Sequence, residues 1–94
     1  MERIQLMKEV NYSVDQVTEI IVEYLKQGNP LYSELEQIPL DESLVELGLM
    51  DSFGVIDIVS FLEKKFEIGI EDSEITKEKF GSIIKMSALV IAKR

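Results

Sequence analysis

The sequence predicts an all-α domain: a small four-helix bundle of three long helices and one short one, with a long loop between the first two. Three observations lead there. Apolar residues recur at helical spacing in three separate stretches. Serine caps, and glycine or proline stops, bracket those stretches. The β-type alternation of apolar and polar residues is short, Phe66-Glu67-Ile68-Gly69-Ile70 being the one real candidate.

The first helix runs from about Val14 to Gln27. Ser13-Val14-Asp15-Gln16 has the capping-box pattern, a serine N-cap with glutamine at N3. Val14, Val17, Ile21, Tyr24 and Leu25 supply the stripe, and Gly28 followed by Pro30 supplies the stop. Met7 and Val10 carry the stripe backwards, whereas Asn11-Tyr12-Ser13 argues for a break, so residues 1–12 read as an N-terminal extension. Asn29-Pro30 suits the opening of a short helix, with proline at N1. The connection from Asn29 to Asp51 holds Leu31, Leu35, Ile38, Leu40, Leu44, Leu47 and Leu49. It is too apolar for a free linker, and it should pack across the helices.

The second long helix spans Phe53 to Phe66. Val55, Ile58, Val59, Leu62 and Phe66 share one face, and Phe53, Ile56 and Phe61 lie off it. Gly69 marks the exit. Asp72 or Ser73 caps a short helix holding Ile75, Phe80 anchors a link, and Ser82 caps a last helix through Ile83, Met86, Leu89, Val90 and Ile91. No repeat or low-complexity run interrupts the 94 residues, which make a single domain at this length.

Composition narrows the function. There is no cysteine, so disulfides, thiolate metal sites and cysteine nucleophiles are excluded. There is no histidine, the commonest general base and metal ligand. No apolar run approaches the roughly 20 residues of a membrane span, and Met1 to Tyr12 lacks the apolar core of a signal peptide. A cytoplasmic monomer with no stable membrane insertion is expected. The net charge is −8, and its distribution is uneven: from Gln27 to Glu63 there are eight acids and no base. Such a surface repels nucleic acid and steers toward basic protein partners.

Ser52 falls inside this acidic stretch, in Glu-Leu-Gly-Leu-Met-Asp-Ser-Phe-Gly. A hydrolase elbow needs glycine two residues before the serine, and Met50 stands there. With no histidine to take the proton, a serine nucleophile has no base. The five glycines stand singly and cradle no phosphate, and the acid pairs lack the calcium-loop pattern. The chain is therefore not expected to be an enzyme, nor to hold a metal. Ser52 is either the cap of a helix, worth about 1 kcal/mol, or a hydroxyl to be modified. A phosphate ester at a helix start is stabilised by the helix dipole by about 0.3–1 kcal/mol. Asp51 could then help hold a metal ion shared with an incoming diphosphate.

The stretch Glu46 to Ile70 resembles the modification site of phosphopantetheine carrier proteins, the acyl and peptidyl carriers. Leu47-Gly48, Asp51, Ser52 and Phe53 match the L-G…D-S-[LF] signature of that family, and Leu62, Glu63, Phe66, Ile68 and Ile70 match its downstream run. The likeness extends from about Leu44 to Val90. The wording Gly-Leu-Met-Asp-Ser-Phe-Gly is similar to the D-alanyl carrier branch and other stand-alone carriers served by adenylate-forming ligases. Lys64 and Lys65 stand where fatty-acid carriers have acids, and Glu71 where they have proline. The resemblance implies a phosphopantetheine arm on Ser52, derived from coenzyme A and holding an acyl or aminoacyl thioester. It implies Asp51 as the flanking acid read by the transferase, and Phe53, Ile56, Asp57 and Glu63 as partner contacts. The implied partners are a phosphopantetheinyl transferase, an adenylate-forming ligase, and an acyltransferase or synthase. An alternative from another class is an unmodified acidic helical module that binds a basic protein.

Overall fold

The computed structural model describes residues 12–94. The extension through Met7 and Val10 lies outside them. Three long helices carry the fold: α1 (Val14–Gly28), α3 (Ser52–Phe66) and α5 (Ile83–Lys93). Short helices α2 (Pro30–Glu34) and α4 (Lys77–Phe80) and a 3-10 turn (Asp72–Glu74) lie between them. The described residues contain no strand.

α1 begins as its sequence dictates. Ser13 Oγ accepts from the Gln16 N–H at 3.1 Å, and Gln16 Oε1 accepts from the Ser13 N–H at 2.8 Å. Val17, Ile21 and Leu25, four residues apart, are buried. Asn29 then serves two helices. Its N–H donates to the Leu25 carbonyl, while its side chain accepts from the Leu31 N–H and opens α2 with Pro30 at N1.

The long connection is packed, but not through every leucine. Tyr32, Ile38, Leu44 and Met50 enter the core, and Leu35 and Leu49 pack against its edge. Leu31, Leu40 and Leu47 are exposed, contrary to expectation. Leu47 sits in a tight turn in which its own N–H reaches the Ser43 carbonyl and Gly48 N–H the Val45 carbonyl, and that turn points it outward. The Leu40 carbonyl accepts from Ile84 N–H at 3.1 Å and so ties the connection to the start of α5.

α3 buries Ile58, Val59, Leu62 and Phe66, as its wheel predicts, and leaves Val55 half-buried. It ends at Glu67, which adopts the left-handed conformation (φ 54°, ψ 49°) expected of a glycine. Gly69, read as the exit, is two residues too late. Phe66 to Ile70, the strand candidate, is instead a helix end and a link: Ile70 enters the core, and its N–H donates to Glu63 Oε2 at 2.9 Å. The next turn starts from Glu71 rather than Asp72 or Ser73, with Glu71 N–H donating to Glu74 Oε1, and Ile75 closes it. α4, four residues long, is too short to leave a periodic signal. Thr76 caps it and Phe80 anchors it in the core.

Ser82 caps α5 through the Lys85 N–H. Ile83, Met86 and Val90 are buried, and α5 packs against α1 and α4. At the α1–α5 interface the buried Ser87 hydroxyl donates to the Ile83 carbonyl and meets Thr18 Oγ1 at 2.8 Å, so its polar atom is satisfied.

Candidate carrier site

Asp51, not Ser52, is the cap of α3. Its Oδ1 accepts from Gly54 N–H at 2.9 Å, and its carbonyl accepts from Val55 N–H at 3.0 Å. Ser52 is the first residue of the helix. A serine that capped would have its oxygen occupied by the backbone. One residue on, the Ser52 side chain is exposed and has no hydrogen-bond partner among the described residues.

Five of the other seven serines differ. The hydroxyls of Ser13, Ser33, Ser43, Ser82 and Ser87 all hydrogen-bond to backbone groups nearby. Ser60 and Ser73 are also exposed and unbonded among the described residues, but Ser60 lies in the body of α3 and Ser73 in a three-residue turn. Ser52 thus combines an unengaged hydroxyl with the N-terminus of a 15-residue helix. There the first N–H groups lack carbonyl partners, and the dipole favours an anion. A phosphodiester on Oγ fits that position: its charge meets the helix N-terminus, and no internal bond must break to form it.

The turn before the site is fixed by glycine and by buried polar contacts. Gly48 has φ +77°, a conformation that side chains resist. Leu49 N–H and Met50 N–H both donate to the Leu44 carbonyl. The Tyr32 hydroxyl, from α2, donates to the Leu49 carbonyl. Burial, and then the charge of Asp51, raise the Tyr32 phenol above its ordinary pKa, so it stays a donor.

The other predicted residues separate by environment. Phe53 is 81% exposed and Ile56 65% exposed, which rules out core packing for either. Phe61 is half-buried and stacks on Tyr24, with centroids 3.8 Å apart and planes 12° from parallel. The Tyr24 hydroxyl donates to Asp57 Oδ2 at 2.7 Å. That bond, with lesser contributions from burial and the Asp57 charge, raises the Tyr24 pKa. The Tyr24–Asp57 pair joins α1 to α3 across 33 positions, a partnership that no local pattern signals. Glu63 is half-buried and engaged with the Ile70 N–H. Lys64 and Lys65 occupy the last turn of α3, where cations suit the helix dipole.

Two cavities flank the site. One, of about 260 Å³, has mostly apolar walls, including Leu44, Met50, Val55, Ile75, Phe80 and Met86. The other is a more polar groove of about 490 Å³ between α1, α2 and the start of α3, reaching Tyr24, Tyr32, Asp51, Gly54 and Asp57. No group of three or more metal-ligating side chains occurs among the described residues.

A family model for the phosphopantetheine attachment site matches residues 15–90, most of the chain. The chain belongs to that family. It is a carrier protein bearing a phosphopantetheine arm that is covalently attached and derived from coenzyme A. Carriers of this kind are generally non-catalytic, and they deal with a phosphopantetheinyl transferase and with acyl-handling enzymes. No curated protein matches this carrier. No helix among its described residues is long and apolar enough to cross a membrane.

Proposed function

We propose that Ser52 bears the arm and that this carrier transports an acyl chain as a thioester. The observation that carries the acyl reading is the apolar cavity near the start of α3, whose walls include Met50 and Val55, two residues before and three after Ser52. An apolar chain gains roughly 0.8 kcal/mol for each methylene removed from water. A single amino acid has little apolar surface to place there, and its ammonium group would be desolvated.

In the loading step Ser52 Oγ attacks the phosphorus of coenzyme A that bears the pantetheine. A new P–O bond forms, the diphosphate bond breaks, and adenosine bisphosphate leaves. The hydroxyl proton passes to a base on the transferase, since this chain has no histidine. The arm supplies the thiol that a cysteine-free chain lacks. Asp51 contributes by capping α3, which releases Ser52 from that task, and by placing a carboxylate next to the reacting phosphate. Phe53 and Ile56 offer partners an apolar spot, with Asp57 and Glu63 the acids beyond it. The encounter belongs in the cytoplasm, with the carrier as a monomer.

Lys64 and Lys65, both exposed, favour a second reading. They oppose the basic patch of a partner that grips acidic helices, and like charges reject wrong partners. A dedicated adenylate-forming ligase loading an amino acid such as D-alanine fits that feature. Competition between acyl and aminoacyl loading, read by intact mass, separates the two. Protection of long acyl thioesters from hydroxylamine supports the first reading, and equal lability at all lengths defeats it.

A further inference from the structure

We propose that Met50 sets how much of the cargo chain the apolar cavity shelters, and that Gly54 is what permits its position; this rests on the acyl reading above. Met50 is 9% exposed and contributes to the walls of both cavities, the apolar one and the polar groove. Its side chain is therefore the partition between them. The backbone beneath it is pinned: Leu49 and Met50 N–H groups share the Leu44 carbonyl, and Tyr32 holds the Leu49 carbonyl. The moving part is an unbranched thioether with three rotatable bonds, the side chain best suited to adapt to a variable occupant.

Gly54 faces this partition from the groove side, whose wall it shares. A Cβ on residue 54 would stand 2.8 Å from Met50 Cγ and 3.8 Å from its Sδ. Glycine is a poor helix former, yet it occupies the first turn of α3. With any larger residue Met50 Cγ must give way, and a move away from residue 54, which lines the groove, carries the side chain toward the apolar cavity. Two substitutions thus act in opposite directions on one wall. Met50→Ala removes the partition and lengthens the sheltered space. Gly54→Ala drives the partition inward and shortens it. In the double variant there is no Cγ left to push, so it should behave as Met50→Ala does.

The test uses the full chain, loaded on Ser52 by a transferase from straight-chain saturated acyl-coenzyme A of graded length. Thioester cleavage by hydroxylamine is followed by intact mass, with helical content checked for each variant by circular dichroism. In the wild type, cleavage should slow with length, about fourfold for each sheltered methylene, and then level off. Met50→Ala should move that plateau to longer chains, and Gly54→Ala to shorter ones. The double variant should match Met50→Ala. Should Met50→Ala not fold, Gly54→Ala still decides the matter, because its inward shift is specific to Met50. A plateau unchanged in Gly54→Ala, with clear length dependence in the wild type, overturns the role of Met50 and leaves the acyl reading standing. A wild type with no length dependence overturns that reading, and this inference with it.

Discussion

Asp51 and Ser52 divide two tasks that adjoining residues could have shared. The carboxylate satisfies the helix start, and the hydroxyl is left over. The sequence points to the pair, because Asp and Ser are both favoured caps, but it does not say which one caps. One residue of register decides it, and register is where element boundaries are least certain. The assignment separates charge from capping. Asparagine caps as well as aspartate, whereas alanine costs typically about 1 kcal/mol. Asp51→Asn should therefore melt like the wild type while being modified more slowly, and Asp51→Ala should lose both stability and rate. Thermal denaturation beside a modification time course checks this. Equal modification rates for Asp51→Asn and wild type would reduce Asp51 to its capping role. Glu67 gives a second single-residue test. A non-glycine residue in the left-handed region costs roughly 1–2 kcal/mol, so Glu67→Gly should stabilise the protein by up to about 1 kcal/mol in denaturant unfolding. No pattern in the sequence marks Glu67 as that residue, because Gly69 nearby is the more plausible stop.

At the scale of elements, local signals are legible in the sequence and distant ones are not. The capping box of α1, the apolar face of α3 and the Ser82 cap of α5 each lie within a few residues of chain, and each is present. The contacts that join elements have no such trace. Lys93 Nζ lies 2.6 Å from Glu74 Oε1 and ties the 3-10 turn to the end of α5. The hydrogen bond from Lys93, then that from the Glu71 N–H, lower the Glu74 pKa below its ordinary 4.5. For a carboxylate whose folded pKa is depressed, the stabilisation is present above the unfolded value and is lost as pH falls through the folded one. Glu74→Gln should lie below the wild type in stability at neutral pH. The two should converge as acid is added and the wild-type carboxylate protonates. Parallel denaturation curves at neutral and acidic pH, with a constant gap between the proteins, would show that Glu74 contributes nothing through its charge.

Across the whole molecule, charge and cavity together shape the account. The base-free run from Gln27 to Glu63 contains Ser52, the proposed attachment point, and such a run would steer a basic partner there. All ten bases lie outside that run, among them Lys77, whose pKa is raised by its bond to Glu46. Association with the transferase should weaken as salt rises, since exposed charges are screened within about 8 Å at physiological ionic strength. Surface plasmon resonance over a salt series reads this, and salt-independent association would deny the acidic surface a steering role. The charge distribution is legible in the sequence. The cavity is not, because its walls come from the long connection, α3, α4 and α5, which meet only in the fold.

The claim on which the rest depends is that the free hydroxyl at the start of α3 bears the arm. Intact mass after incubation with coenzyme A and a phosphopantetheinyl transferase tests it most directly. The wild type should gain a single phosphopantetheine, localised to Ser52 by fragmentation. Ser52→Ala, which loses no cap and should fold like the wild type, should gain none. Modification of Ser52→Ala at the wild-type rate, or a wild type that stays unmodified, would contradict the account.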